Sequence, residues 1–308
     1  LSTHYLPVYT QNTVASNDSN IDPYILQHLS NMQPELYWLD SDPLEPQPHS
    51  LLIGDVSTDL CVVGGGYTGL WTALNAKKRN PERDVIVIEK SWTGAGASGR
   101  NGGFCNTSLT HGFVNGYARF KDEMATIERL GRENMDAIEA TIKEFDIDCD
   151  WHRTGELRVA DADWQIPELL EEAKLRNEYG DHVEFLSEEE TQKRVHSPTY
   201  KGALWDPDGT ALVDPARLVW GLERACLKLG VRIFENSEVT SLEETRQGMI
   251  VHAPYGSISA RRVALATNVF PSLIRSARKY VVPVYDFQLV TEPLTPEQHE
   301  SIGWKGRE

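Results

Sequence analysis

The stretch Asp59-Leu60-Cys61-Val62-Val63-Gly64-Gly65-Gly66-Tyr67-Thr68-Gly69-Leu70 decides how the chain folds. Residues 60–63 are apolar without alternation, as a strand buried on both faces requires. Gly64-x-Gly66-x-x-Gly69 follows at once, and Leu70, Ala73, Leu74 and Lys77 then carry a helical pattern. The order is strand, tight turn, helix. Gly64 permits the turn, Gly66 lets backbone approach a pyrophosphate, and Gly69 lets helix and strand pack closely, with phosphates at the positive end of the helix. A second strand at 85–88 ends on Glu89, twenty residues beyond Gly69, where a carboxylate can accept a hydrogen bond from a ribose hydroxyl. Together these four conditions describe a dinucleotide-binding unit, and at this point NAD and FAD both satisfy it.

Working outward, residues 91–104 hold five glycines, at 94, 96, 99, 102 and 103, and so cannot be held by their own side-chain packing. Such a loop, carrying Ser98, Arg100 and Asn101 as donors just after the ribose-binding strand, is suited to wrap a pyrophosphate and the ring beyond it. On the N-terminal side, residues 1–22 are polar and aperiodic and read as a loose arm, 24–32 as a short helix, and the proline-rich 42–47 as an extended connector. The aromatic 35–40 segment is expected to pack on the dinucleotide unit. Beyond the loop, apolar positions recurring from 117 to 145 predict one long amphipathic helix. A strand follows at 155–160, then a helix at 163–179. The Ser187 and Glu190 capping box starts a short helix through Arg194. Strands at 202–205 and 210–213 flank an Asp206-Pro207-Asp208-Gly209 turn, and Asp214-Pro215 opens a helix at 216–229 that Gly230 ends. Further strands are expected at 231–234, 238–243, 249–252, 257–260, 262–266 and 281–291, with a helix at 295–301.

The length of 308 residues favours two domains at roughly 150 residues each. With 30 Lys and Arg against 46 Asp and Glu, the net charge of −16 opposes nucleic-acid and anionic-membrane partners. No apolar run approaches the ~20 residues of a bilayer span. Cys61, Cys105, Cys149 and Cys226 show no CxxC spacing, so no metal and no disulfide framework is indicated, and a reducing cytoplasm is expected. The chain opens on Leu1 and stops at Glu308 without a natural end, so a fragment is expected.

The combination Val62-Val63-Gly64-Gly65-Gly66-Tyr67-Thr68-Gly69, Ile88-Glu89-Lys90, Gly96-Ala97-Ser98-Gly99-Arg100-Asn101-Gly102-Gly103, Val213-Asp214-Pro215-Ala216-Arg217 and Ala264-Leu265-Ala266-Thr267 resembles the FAD-dependent amine and amino-acid oxidase (D-amino acid oxidase-like) family. The Ser98 to Gly103 string is most similar to its gamma-glutamylputrescine oxidase branch. The resemblance implies an α/β (α+β) two-domain fold: a Rossmann-like FAD-binding domain with an interleaved antiparallel-sheet substrate domain whose C-terminal part is missing. The divisions expected are an arm at 1–58, the FAD-binding domain at 59–149 and 214–280, and the substrate domain at 150–213 and 281–308.

The same resemblance implies non-covalent FAD. Gly64, Gly66, Tyr67, Thr68 and Gly69 would meet the pyrophosphate, Glu89 the ribose and Lys90 the adenine side. Ala97, Ser98, Gly99, Arg100, Asn101, Gly102 and Gly103 would line the pyrophosphate, ribityl chain and flavin, the Val239 backbone the adenine, and Ala266 with Thr267 would close over the pyrophosphate. Relatives carry Thr-Gly where this chain has Thr267-Asn268, which is expected to weaken that contact. The implied reaction oxidises the C–N bond of an amine or amino acid. Hydride passes to flavin N5, the imine is hydrolysed, and dioxygen or another acceptor regenerates the cofactor. An NAD(P)-linked dehydrogenase and a non-catalytic, truncated flavin-binding paralogue are the alternatives. No catalytic residue is named: His111, His152 and Arg153 lie in segments that could approach the ring but are expected to be solvated or structural, and covalent flavin attachment at Cys105 is not expected.

Overall fold

The computed structural model describes residues 36–40, 48–268, 273–282, 284, 288, 290–304. The expected arm at 1–22, the helix at 24–32 and the connector at 42–47 lie outside the described residues. The chain divides into a unit of residues 1–36, of which Leu36 alone is described, and a unit of 37–308, to which everything below belongs.

The principal sheet is built around β1 (Gly54–Val63) and β2 (Val85–Ile88), which pair in parallel through Val63 and Ile88. Helix α2 (Tyr67–Arg79) connects them, α1 being the single turn Tyr37–Asp40. On one flank β2 pairs in parallel with β9 (Arg232–Phe234), and on the other β1 pairs in parallel with β12 (Gly256–Leu265). Strands β10 (Ser241–Thr245) and β11 (Gly248–Ala253) extend the sheet as an antiparallel meander, giving the order β10-β11-β12-β1-β2-β9. Side chains alternate between two apolar layers. Val62, Val85 and Val87 pack with Leu70 and Leu74 of α2 and with helix α7 (Pro215–Lys228), whereas Cys61, Val63, Ile86 and Ile88 pack with Val251 and Ile258. Burial on both faces explains the unbroken apolar runs.

Between β2 and α7 the chain forms two small antiparallel sheets. One has the order β3-β8-β4, from β3 (Phe104–Asn106), β8 (Thr210–Leu212) and β4 (His152–Arg153). The other has the order β5-β7-β6, from β5 (Glu156–Ala160), β7 (Gly202–Asp206) and β6 (Glu184–Ser187). The flanking helices are α3 (Phe113–Phe120), α4 (Met124–Phe145), α5 (Ile166–Glu178) and α6 (Glu188–Arg194), with α8 (Pro296–Ile302) near the C-terminal end. The Ser187 capping box is formed, with Ser187 N donating to Glu190 Oε2 at 2.8 Å and Glu190 N to Ser187 Oγ at 3.3 Å.

Several elements differ from the sequence expectations. The helix expected over 117–145 is two helices, because Phe120 takes φ −135° and ψ 40° and Lys121–Glu123 forms a 3-10 turn. Strands at 257–260 and 262–266 are one strand, continuous because β12 is laddered along all of β1. That partnership also lengthens β1 back to Gly54, through a polar segment with little strand signal of its own. Residues 238–240 lie outside the strand, although Thr240 N donates to His252 O at 2.9 Å, so β10 starts only at Ser241. The strands either side of 206–209 do not form a hairpin, since β7 pairs with β5 and β6 while β8 pairs with β3 and β4. Of the strand expected at 281–291, the described residues 281, 282, 284, 288, 290 and 291 are not in strands.

Candidate functional site

Strand register assembles the site. Val63 is the last paired residue of β1 and lies opposite both Ile88 and Leu265, while Ile88 lies opposite Phe234. Gly64, Glu89, Ala266 and Glu235 therefore leave the sheet side by side at the carboxyl ends of parallel strands, the edge where open α/β sheets place ligands.

The glycine turn is as tight as its sequence implies. Gly64 has φ +113°, and a Cβ there would lie 2.5 Å from Ala266 O; one on Gly69 would lie 1.9 Å from Gly64 O. At Gly66 a Cβ would lie 2.8 Å from Ser98 Oγ, so the turn, the strand end at Ala266 and the glycine loop close on one point. Gly66 caps α2 without a side-chain bond. The amides of Gly66 and Thr68 have no partner among the described residues, as the first turn of a helix leaves its N–H groups. Tyr67 N donates to Ser98 Oγ at 2.9 Å, and Tyr67 Oη donates to Pro215 O at 2.9 Å. Burial pushes that phenol well above its usual range, so it stays neutral.

Glu89 accepts from Gly65 N at 2.7 Å and from Ser91 N at 3.0 Å, which fixes its carboxylate against the turn. Thr93 Oγ1, fully buried, lies 3.3 Å from where a Gly65 Cβ would be and has no partner among the described residues. Lys90 is exposed and pairs with Glu238 at 2.9 Å, and Ser237 N donates to Glu89 O at 2.8 Å, so Val239 runs beside this edge.

The glycine loop is an ordered structure braced from within. Gly94 N donates to Gly65 O at 3.1 Å, and residues Ala97–Gly99 form a 3-10 turn. Arg100 Nε donates to Ala95 O at 2.6 Å, and Asn101 Nδ2 to Ser98 O at 2.9 Å and Ala97 O at 3.1 Å. Asn101 Oδ1 accepts from Gly103 N at 3.0 Å. The side chains that sequence reasoning treated as ligand donors thus shape the loop itself. Gly102 is followed by Gly103, whose φ of +76° and closeness to Val213 O, 2.4 Å from a Cβ, explain the second glycine. Thr267 is half-buried, and Asn268 takes φ +49°, the left-handed region that glycine enters freely and asparagine tolerates better than most residues.

Contributors absent from the sequence reading include Trp38, whose Nε1 donates to Asn101 O at 2.8 Å, and Glu235, which is buried and accepts from Thr93 N at 2.6 Å and His49 N at 3.0 Å. His49 Nε2 also bonds the Glu223 carboxylate. His49, Glu223 and Glu235 bring one ligand-type atom each within 4.8 Å of one another. Burial pushes Glu223 up to about 7, against the opposing pull of His49. Only the aromatic character of 35–40 hinted at Trp38. Nothing in the spacing signals the His49 cluster, whose members are 186 positions apart at the extremes. His111 is exposed, His152 pairs with Asp150 at 2.9 Å, and Arg153 pairs with Asp136 at 2.5 Å and Glu139 at 2.8 Å. Cys105 is half-buried, and burial raises its thiol above the usual range, leaving little thiolate.

A turn with no room for Cβ atoms, unpartnered helix-start amides, an orphaned buried hydroxyl and a fixed carboxylate beside it fit a dinucleotide whose diphosphate meets backbone. Comparison with known proteins names the group. The FAD dependent oxidoreductase family (DAO) matches residues 59–307. The chain belongs to this family. Within it, the chain is 36% identical over 233 residues to the gamma-glutamylputrescine oxidoreductase of Escherichia coli K12, covering 72% of this chain and 52% of that protein. It is 29% identical over 256 residues to the probable oxidoreductase OrdL of Haemophilus influenzae, covering 79% and 58%. The chain thus spans a little over half the length of these relatives. Glycine oxidase from Geobacillus kaustophilus superposes with a TM-score of 0.60 at 21% identity, covering 70% of this chain and 56% of that one. The fold is thus that of DAO-like flavoproteins, and the expected likeness to the gamma-glutamylputrescine oxidase branch is borne out by the 36% identity to the E. coli relative.

Proposed function

We propose that the chain binds FAD in the turn, strand edge and glycine loop just described and contributes to a flavoenzyme that oxidises the C–N bond of an amine or amino acid. The observation that carries this reading is the convergence of Gly64, Gly66, Ser98 and Ala266 on one backbone-lined point inside a chain of the FAD-dependent oxidoreductase family. FAD supplies the hydride acceptor, and hydrolysis of the resulting imine releases the carbonyl product.

The residues divide the work of holding it. Backbone at Gly64, Gly66, Tyr67, Thr68 and Gly69 would take the diphosphate at the positive end of α2. Glu89 would hold the ribose, with Lys90 and the Val239 backbone toward the adenine. Residues Ala97 to Gly103 would form the wall along the ribityl chain and ring, with Ala266 and Thr267 closing the opposite side. Asn101 and Arg100 act by holding the loop in shape. The division into a FAD-binding domain, 59–149 and 214–280, and a substrate domain, 150–213 and 281–308, is retained as part of this proposal. It draws support from the crossover geometry, since β3 and β8 join the loop after β2 to the segment before α7.

The E. coli relative acts on gamma-glutamylputrescine by its name, and a primary amine of that kind is the substrate class favoured here, with dioxygen or another acceptor as oxidant. Among the described residues no helix is long and apolar enough to cross a membrane, and the four cysteines are free, which supports placement in the reducing cytoplasm. A panel of amines, polyamines and amino acids scored for flavin bleaching and peroxide tests the reading. Bleaching by amines supports it, and a flavin that no amine or amino acid reduces contradicts it.

A further inference from the structure

We propose that Glu156 is the cation subsite of a cavity that takes a linear aliphatic amine carrying a second, positively charged nitrogen. A cavity of about 320 Å³ is lined by Phe104, Asn106, Glu156, Leu157, Thr210 and Leu212. It begins where the glycine loop ends, because Phe104 follows Gly103 directly. Register puts its wall on one face of a sheet: Phe104 lies opposite Leu212 and Asn106 opposite Thr210, while the intervening Cys105 and Ala211 turn toward the core. Phe104 is 71% exposed, so an aromatic face stands open at the cavity.

Glu156 enters this wall from the neighbouring sheet. Its Oε2 accepts from Asn106 Nδ2 at 2.9 Å and from Thr210 Oγ1 at 3.1 Å, so two neutral donors on two strands fix the carboxylate. Glu156 forms no salt bridge among the described residues; Arg153, the nearby cation on β4, is paired with Asp136 and Glu139. An oriented carboxylate, lacking a cation and flanked by Phe104, Leu157 and Leu212, matches an ammonium on an aliphatic chain, with the aromatic ring adding a cation–π contribution.

This inference rests on the amine-oxidation reading in one respect. The nitrogen that is oxidised must be neutral, and a carboxylate beside it would hold it protonated. Glu156 therefore engages a different nitrogen, and the ligand is dibasic.

Calorimetric titration of the purified chain with putrescine, butane-1,4-diol and butanoate tests this, with FAD titrated in parallel. Putrescine should bind roughly tenfold more tightly than the uncharged diol, and butanoate should not bind, since one charge-assisted bond is worth about a decade in affinity. Glu156→Gln, which keeps an acceptor for Asn106 and Thr210, should bring putrescine to the diol level and leave the diol unchanged; circular dichroism checks that it folds. Butylamine, whose single ammonium would occupy Glu156, should bind but reduce bound flavin at least about tenfold more slowly than putrescine. Equal binding of putrescine and the diol by the wild type, an undiminished preference in E156Q, no amine binding at all, or equal flavin reduction by the two amines would overturn it. A preference lost in E156Q from a chain that takes no FAD would leave the subsite standing and remove the flavoenzyme reading. FAD binding without any putrescine preference would do the reverse.

Discussion

At the scale of single residues, the cradle is made by atoms that are missing. Gly69 is where helix α2 touches the turn, and an alanine methyl at that position would lie 1.9 Å from Gly64 O. Gly69→Ala should lower stability by about 1–3 kcal/mol, read as a shift in the thermal midpoint, and weaken FAD binding with it. Glu89→Gln should reduce FAD affinity about tenfold, measured by flavin fluorescence titration, and lower the midpoint modestly, because a carboxamide cannot accept from both Gly65 N and Ser91 N. A third residue gives a pH dependence. Burial lifts the Glu223 carboxyl from its ordinary 4.5 to about 7, so the folded state keeps a proton that the unfolded chain has released. The stabilisation is complete below about pH 4.5 and is lost as pH rises through about 7. Glu223→Gln, uncharged throughout, should flatten that part of the thermal-midpoint profile, and an unchanged slope would show that Glu223 is not its source. Of these residues, the glycines and Glu89 are legible in the sequence because each occupies a fixed step along one strand-turn-helix unit. Glu223 and His49 are not, since their meeting depends on long-range folding that no local period encodes.

At the scale of elements, caps and apolar periods announce themselves, while partners do not. The Asp214-Pro215 pair predicts the start of α7, and Asp214 Oδ1 accepts from Ala216 N at 2.9 Å and Arg217 N at 3.0 Å. Asp214→Ala should therefore cost about 1 kcal/mol in chemical denaturation. The α6 capping box is legible for the same reason, being contained within four residues. Strands 202–205 and 210–213 carry the right alternation, yet their assignment to two sheets is hidden, because a period of two says which face is buried and nothing about the neighbour. The polar start of β1 is hidden likewise; it is a strand because β12 is long enough to pair with it. The break between α3 and α4 falls where the apolar repeat passes through Lys121–Glu123 without interruption, so period alone predicts one helix.

At the scale of the whole molecule, parallel strands ending at a common edge convert separate sequence signals into one site. Gly64, Glu89 and Ala266 are brought abreast by pairing at Val63, and the glycine loop is bound back to them through Gly94 and Ser98. The net charge of −16 leaves a dianionic diphosphate dependent on this local arrangement of backbone dipoles, since the overall field opposes it. The most direct measurement is a titration of the purified chain with FAD, and separately with NADH, followed by flavin or nicotinamide fluorescence, with Gly66→Val as control. Saturable binding of FAD at one per chain, no comparable binding of NADH, and loss of FAD binding in the variant are the predicted result. A chain that leaves FAD free in solution, or that binds it equally well with valine at position 66, would contradict the cradle described here.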